Sequence, residues 1–142
     1  MKKQHEKYEV MLIDGLNAFI RSYIVNPTID SKGNPIGGCM GFLKSLQKVV
    51  RMFKPDEVVV CWDGQGGSQR RKAQNKNYKA GRSPVRFNRR MYELSPEEQE
   101  KNKAYQFYRL AEYLNEMPVI QVVADNIEAD DVIAVLCRSD HY

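Results

Sequence analysis

Long apolar runs are missing from this 142-residue sequence. No stretch approaches the ~20 residues with which a helix crosses a bilayer. The charged amino terminus, MKKQHEKYEV, is not followed by the apolar core of a secretory signal. A cytoplasmic chain with no membrane partner is therefore expected. Cysteine is scarce, at Cys39, Cys61 and Cys137. An odd number leaves no fully paired disulfide framework, and the spacing fits no zinc pattern. Two of the three sit in apolar runs, so reduced, mostly buried thiols are expected. No internal repeat is visible. The length suits one domain, able to bury roughly 68% of its unfolded surface.

Acidic residues are also missing, but only locally. From Gly64 to Tyr92 there is no Asp or Glu. The same stretch carries Arg70, Arg71, Lys72, Lys76, Lys79, Arg82, Arg86, Arg89 and Arg90, nine of the 22 basic residues. The other 13 face all 18 acids, so the rest of the chain is net −5 while the whole is +4. Charge separated in this way points to a polyanionic partner at one place. A solvated basic loop is the plainer alternative.

What remains is a regular alternation. Val10 to Asp14 is a short apolar run, read as a buried strand. A turn and short helix follow from Gly15 to Ile24. Asn26 to Gly38, dense in Pro, Gly, Asn and Asp, reads as loop. Phe42, Leu43, Leu46, Val49, Val50 and Phe53 recur at helical spacing, and Pro55 closes that helix. Glu57 to Gly64 is a second buried strand, again reaching an aspartate, Asp63. Ser95, Pro96 and Glu98 form a helix start with a capping box. Tyr105, Phe107, Tyr108, Leu110, Ala111 and Leu114 give that helix its apolar members. Val119 to Val123 is a third strand. A last helix opens at Glu128, with Val132, Ile133, Val135 and Leu136 toward the core.

Strands alternating with helices predict an α/β fold with a parallel sheet covered on both faces. In such sheets ligands bind beyond the carboxyl ends of the strands. Asp14 and Asp63 stand at two of those ends, and the sequence EADD follows the third. Each acid has a structural reading by itself: an aspartate after a strand caps the next helix, and acids in a first turn suit the macrodipole. Together on one edge, Asp14, Asp63, Glu128, Asp130 and Asp131 would repel one another without a counter-ion. Glu128 and Asp131, three apart, are expected on one helix face. Neither His nor Cys accompanies them, so the set suits Mg²⁺ or Mn²⁺ better than zinc. Carboxylate-held Mg²⁺ beside a basic strip suits phosphodiester hydrolysis, in which two ions would assist the attacking water and the leaving oxygen.

The segments LIDGLNAFIRSY, GGCMGFLKSL, VVVCWDG, NKNYKAGR and IEADDVIA, in this order, resemble the 5′→3′ exonuclease and flap endonuclease family. That family includes the 5′-nuclease domain of bacterial DNA polymerase I and phage replication nucleases. The resemblance runs from Leu12 to Ala134 and implies a PIN-like (resolvase-like) sheet. It implies that Asp14, Asp63, Glu128, Asp130 and Asp131 are metal-site acids, serving two ions in the intact enzyme. Arg21 matches a phosphate-contacting arginine. Tyr78, Lys79 and Arg82 match a YKxxR signature whose Lys and Arg reach the scissile phosphate. The residues after Arg82 would belong to a helical arch over about 70–96 that passes single-stranded DNA. Arg86, Phe87, Arg89, Arg90 and Tyr92 offer the cations and aromatics such a passage needs.

The implied activity is metal-dependent cleavage of DNA at 5′ single-stranded ends or flaps, in replication or repair. RNA/DNA primer junctions are a further substrate form. The implied state is a monomer, in the host cytoplasm if phage-encoded. The family's later acids and its duplex-gripping helix–hairpin–helix have no counterpart here, so the fold is expected to be truncated at its carboxyl end. Two other readings stay open: an inactive DNA-binding module, and a PIN-like ribonuclease. The YKAGR sequence and the long basic insertion argue against the ribonuclease.

Overall fold

The computed structural model describes residues 7–64 and 94–138. In chain order these form β1 (Val10–Asp14), α1 (Gly15–Val25), α2 (Gly37–Phe53), β2 (Glu57–Trp62), α3 (Pro96–Asn115), β3 (Ile120–Val123) and α4 (Ala129–Cys137). The three strands pair in the order β1-β2-β3, and both pairings are parallel. Asp14 lies opposite Cys61, and Trp62 opposite Val123. The expected α/β sheet flanked by helices is therefore present.

Side chains alternate across a strand, and each face has its own core. Met11 and Ile13 of β1 share one face with Val58, Val60 and Trp62 of β2, packed against Phe19, Phe42, Leu46, Leu110 and Leu114 of α1, α2 and α3. The Phe107 ring meets those of Phe19 and Trp62 edge-on, at centroid distances of 5.5 and 4.9 Å. On the other face Val59 and Cys61 pack on Ala129 and Val132 of α4, with Val10 and Leu12 beside them. Packing on both faces, complete for β2 and partial for β1, is why these two strands read as near-unbroken apolar runs.

Several boundaries differ from the sequence reading. α2 begins at Gly37, inside the segment read as loop. It ends before Pro55, at Lys54, which takes a left-handed conformation (φ 46°) and donates its N–H to the Val50 carbonyl at 2.8 Å. On α3 the tyrosines expected among the core-facing residues point outward, with Tyr105 and Tyr108 at 59% and 65% exposure. Their place is taken by Gln99 and Gln106, both buried. Gln106 Oε1 accepts from the Cys39 N–H at 3.1 Å, and its Nε2 donates to Asn102 Oδ1 at 2.7 Å. Asn102 in turn donates to the Pro35 carbonyl, and the Tyr23 hydroxyl donates to the Gln99 carbonyl. Apolar periodicity could not show this stripe because its members are polar and satisfied by distant partners. Val135, expected in the core, is exposed. Cys39 and Cys61 are buried, as read, while Cys137 is exposed.

Candidate functional site

Asp14 ends β1 and is the N-cap of α1, its Oδ1 accepting the Asn17 N–H at 3.1 Å. The cap reading is therefore correct as local structure. The turn from strand to helix is tight: a Cβ at Gly15 would come within 2.5 Å of the Trp62 ring. Strand β2 ends one residue before Asp63, whose carboxylate reaches across to the start of α4. There Oδ1 accepts the Ala129 N–H at 2.6 Å. Glu128 is the N-cap residue of α4, and its own side chain makes no capping bond. Asp63 thus supplies from the neighbouring strand the acceptor that the helix start lacks, with its charge at the favourable end of the macrodipole. Next to it the Gly64 N–H donates to the Ile127 carbonyl at 2.9 Å, and a Cβ at Gly64 would overlap the Ala124 carbonyl. The turn between β3 and α4 is completed by Asn126, left-handed at φ 61°, a conformation asparagine tolerates.

These hydrogen bonds bring Asp63 and Glu128 side by side. Glu128 is 4% exposed, Asp131 is partly buried, and Asp63 and Asp130 are exposed. Asp130 Oδ1 accepts the Asp131 N–H at 3.1 Å. Glu128 is the N-cap of α4, in extended conformation (φ −76°, ψ 156°), and its carbonyl accepts the Asp131 N–H at 3.1 Å, so the two residues meet at the start of that helix. Asp14 sits on the adjacent strand opposite Cys61, which puts its Cα roughly 8 Å from that of Asp63 by ordinary strand spacings. Burial pushes the Cys61 thiol up, and the Asp14 carboxylate and Cys137 add to the shift.

Arg21 stands two turns along α1 from Asp14 and is exposed. Both line a cleft of about 370 Å³ together with Asn17 and Ser45, over a floor that includes Phe42 and Val49. The structure therefore joins Asp14 to Arg21 on one concave surface, and Asp63 to Glu128 at the neighbouring strand end. Sequence reasoning missed Asn17, Ser45, Gly64 and Asn126. Only the last two had a signal, as turn residues beside acids. Arg70, Arg71, Lys72, Lys76, Tyr78, Lys79, Arg82, Arg86, Arg89 and Arg90, and with them most of the expected arch, lie outside the described residues.

The carboxylates offer only hard oxygen donors, the set that a divalent cation such as Mg²⁺ or Mn²⁺ takes. Among the described residues, no three His, Cys, Asp or Glu side chains gather closely enough to enclose one ion. The set fits such a cation by chemistry, and the described geometry gathers its members at one edge of the sheet without closing around a single point.

Comparison with known proteins agrees with this architecture. The profile of the 5′-3′ exonuclease, N-terminal resolvase-like domain matches residues 9–141. The 5′-3′ exonuclease of Bacillus subtilis is 33% identical over 135 residues, covering 90% of this chain and 40% of that protein. Flap endonuclease Xni of Shewanella woodyi is 32% identical over 127 residues, covering 89% and 42%. Thermostable DNA polymerase I of Thermus thermophilus is 30% identical over 133 residues, covering 93% of this chain and 14% of the polymerase. Among solved structures, the T5 D15 protein co-crystallised with metal ions superposes with a TM-score of 0.60 at 16% identity, over 91% of this chain and 42% of that one. The T5 flap endonuclease in a complex with DNA and metal ions gives 0.51 at 18% identity, over 91% and 43%. A third T5 structure holds zinc. The chain spans about two fifths of the length of the exonuclease and flap endonuclease relatives it matches. With the profile covering nearly its whole length over three parallel strands and their helices, the chain belongs to the 5′-3′ exonuclease N-terminal resolvase-like domain family.

Proposed function

We propose that this chain carries the acidic and phosphate-binding part of a divalent-metal-dependent 5′ nuclease. Its substrate is DNA with 5′ single-stranded ends or flaps, including RNA/DNA primer junctions, in replication or repair. The observation that carries the reading is that Asp14 ends β1 and Asp63 directly follows the parallel neighbour β2, with Glu128 beside Asp63, in a chain matched by this family's profile from residue 9 to 141. Asp14, Asp63, Glu128, Asp130 and Asp131 would hold the cation, Mg²⁺ or Mn²⁺ given a set of carboxylates alone. When bound, such an ion supplies Lewis-acid stabilisation of phosphoryl oxygens and acidifies water. Arg21, at the mouth of the cleft it shares with Asp14, offers a fixed positive charge to a phosphate. Lys79 and Arg82 offset the negative charge that builds on the reacting phosphoryl group. The other basic residues from Arg70 to Arg90, with Tyr78, hold the single strand by charge and stacking. We place the protein in the cytoplasm as a monomer, with the basic arch over about 70–96.

A second reading is an inactive DNA-binding module. It is favoured by the lack, among the described residues, of three metal-ligating side chains around one point. Single-turnover incubation with a labelled 5′-flap DNA, with Mg²⁺ and with Mn²⁺, separates the two. Cleavage near the flap junction is expected. Binding without cleavage in either metal selects the inactive module. Cleavage of the RNA counterpart alone selects a ribonuclease.

A further inference from the structure

Trp62 is the single tryptophan of the chain. It is the last residue of β2 and stands directly before Asp63. Its side chain is buried, in the core that Val58 and Val60 share with α1, α2 and α3. Asp63 turns the other way, toward α4, where it accepts the Ala129 N–H. The two neighbours thus leave the strand end on opposite faces, as alternation along a strand requires. The acid faces the site and the indole stands behind it.

The indole is held on every side. Its six-membered ring lies against the backbone of Gly15, so close that a Cβ there would come within 2.5 Å. Phe42 lies nearly parallel to it, with 6.2 Å between ring centroids, and Phe107 meets it edge-on at 4.9 Å. The indole N–H donates to Gln121 Oε1 at 2.8 Å. Gln121 is itself fixed, because its Nε2 donates to the Ala111 carbonyl at 3.0 Å and to Asn115 Oδ1 at 2.7 Å, both on α3. The oxygen and both amide hydrogens of Gln121 are therefore engaged. Filling the core at this point needs only an aromatic ring. A directional bond to a glutamine anchored on another helix does more, since it fixes the tilt of the ring in its plane.

We infer that Trp62, oriented by Gln121, is a positioning residue of the acidic site: it sets the spacing between the Asp14 turn and Asp63, and with it the affinity for a hard divalent cation. The indole bridges the two strand ends from behind. Its own backbone leads into Asp63, and its ring carries the backbone at Gly15, next to Asp14. Like charges push the two carboxylates apart, and a binding constellation tolerates displacement of only about 0.5 Å. The scaffold has to hold that distance. Without the N–H bond the ring is free to tilt, and the edge that then moves is the one pressed on Gly15. The inference rests on the reading proposed above, that these acids take a divalent cation.

The test measures cation affinity and stability separately in the 142-residue chain. Trp62→Phe keeps a ring and removes the N–H. Gln121→Leu keeps the indole and removes its acceptor. Each should weaken Mn²⁺ binding in titration calorimetry about tenfold, the lower end of what outer-shell partners contribute to a metal site. The double variant should lose no more than either single one, because both act through one hydrogen bond. Tyr23→Phe is the comparison: it deletes a buried hydrogen bond to Gln99, at the far end of α1 from Asp14. It should lower Tm and leave Mn²⁺ affinity unchanged. Circular dichroism melts confirm that each variant is folded at the titration temperature. The lone tryptophan adds a direct signature. Mn²⁺ should change Trp62 emission in the parent chain with the midpoint that calorimetry gives, and that midpoint should move to higher Mn²⁺ in Gln121→Leu. A parent chain that takes up no Mn²⁺ overturns the cation reading and the inference with it. A parent that binds, beside Trp62→Phe and Gln121→Leu variants that bind as tightly, leaves the cation reading standing and overturns the positioning role alone. Losses that add in the double variant, or an equal loss in Tyr23→Phe, overturn it as well, because the effect then does not run through this one bond.

Discussion

Asp63 stands in two roles that one pair of substitutions can separate. Its Oδ1 accepts the Ala129 N–H at 2.6 Å, at a helix start whose own N-cap residue makes no side-chain bond. Losing a cap acceptor costs about 1–2 kcal/mol. The bond here is short and charge-assisted, while Asp63 itself is exposed, so the middle of that range applies. For a domain of this size each kcal/mol moves Tm by about 4 °C, so Asp63→Ala should lower Tm by about 6 °C. Asp63→Asn keeps an acceptor at nearly the same place and should stay within about 2 °C of the parent, since Asn and Asp cap comparably. Cation binding follows a different order, because a hard divalent ion needs the charge. Both variants should lose Mn²⁺ binding by titration calorimetry, although only one loses stability. Metal-free thermal melts beside calorimetry check the pair. If Asp63→Asn binds Mn²⁺ as the parent does, Asp63 is a structural cap alone. If Asp63→Ala melts with the parent, the hydrogen bond to α4 does not stabilise the fold and the reasoning from its geometry fails.

Asp14→Asn should likewise keep its bond to the Asn17 N–H and leave Tm within about 2 °C of the parent or above it, one carboxylate having left the cluster. The same change should abolish cleavage of 5′-flap DNA by the active protein, and near-normal single-turnover cleavage would refute the metal role. Neutralising Arg86, Arg89 and Arg90 should flatten the dependence of log K on log salt for single-stranded DNA, measured by anisotropy titration. The expected change in slope is about 0.7 for each phosphate that no longer meets a cation. An unchanged slope would make the basic stretch a solvated loop. The Tyr23 phenol is pushed up to about 12 by burial, with Glu100 adding to the shift. A phenol whose folded value lies above the unfolded value of about 10 stabilises fully below pH 10 and loses that contribution as pH rises toward 12. Urea unfolding of Tyr23→Phe between pH 9 and about 12 should therefore show a shallower fall in stability than the parent.

The strand-to-helix order was legible because β1 and β2 contribute apolar side chains to the clusters on both faces of the sheet and so appear as near-unbroken apolar runs, β2 buried from Val58 to Trp62 and β1 half-buried. Capping residues carry local signals, and Ser95, whose Oγ accepts the Glu98 N–H at 3.2 Å, was placed from three neighbouring letters. The family was legible for a related reason: its motifs are short, local and in order along the chain. The tertiary structure alone decided what depends on partners distant in sequence. It put Gln99 and Gln106 where aromatic residues were expected, because their partners Tyr23 and Cys39 come from other helices. It made Glu128 the N-cap of the last helix and gave the acceptor at that helix start to Asp63, 66 positions upstream of Ala129. Among the described residues it set β2 between β1 and β3, a strand order that no letter of VMLID records. Local propensity and hydrophobic period act within a few residues. Hydrogen-bond satisfaction, helix capping across a sheet and strand order are settled only when remote segments meet.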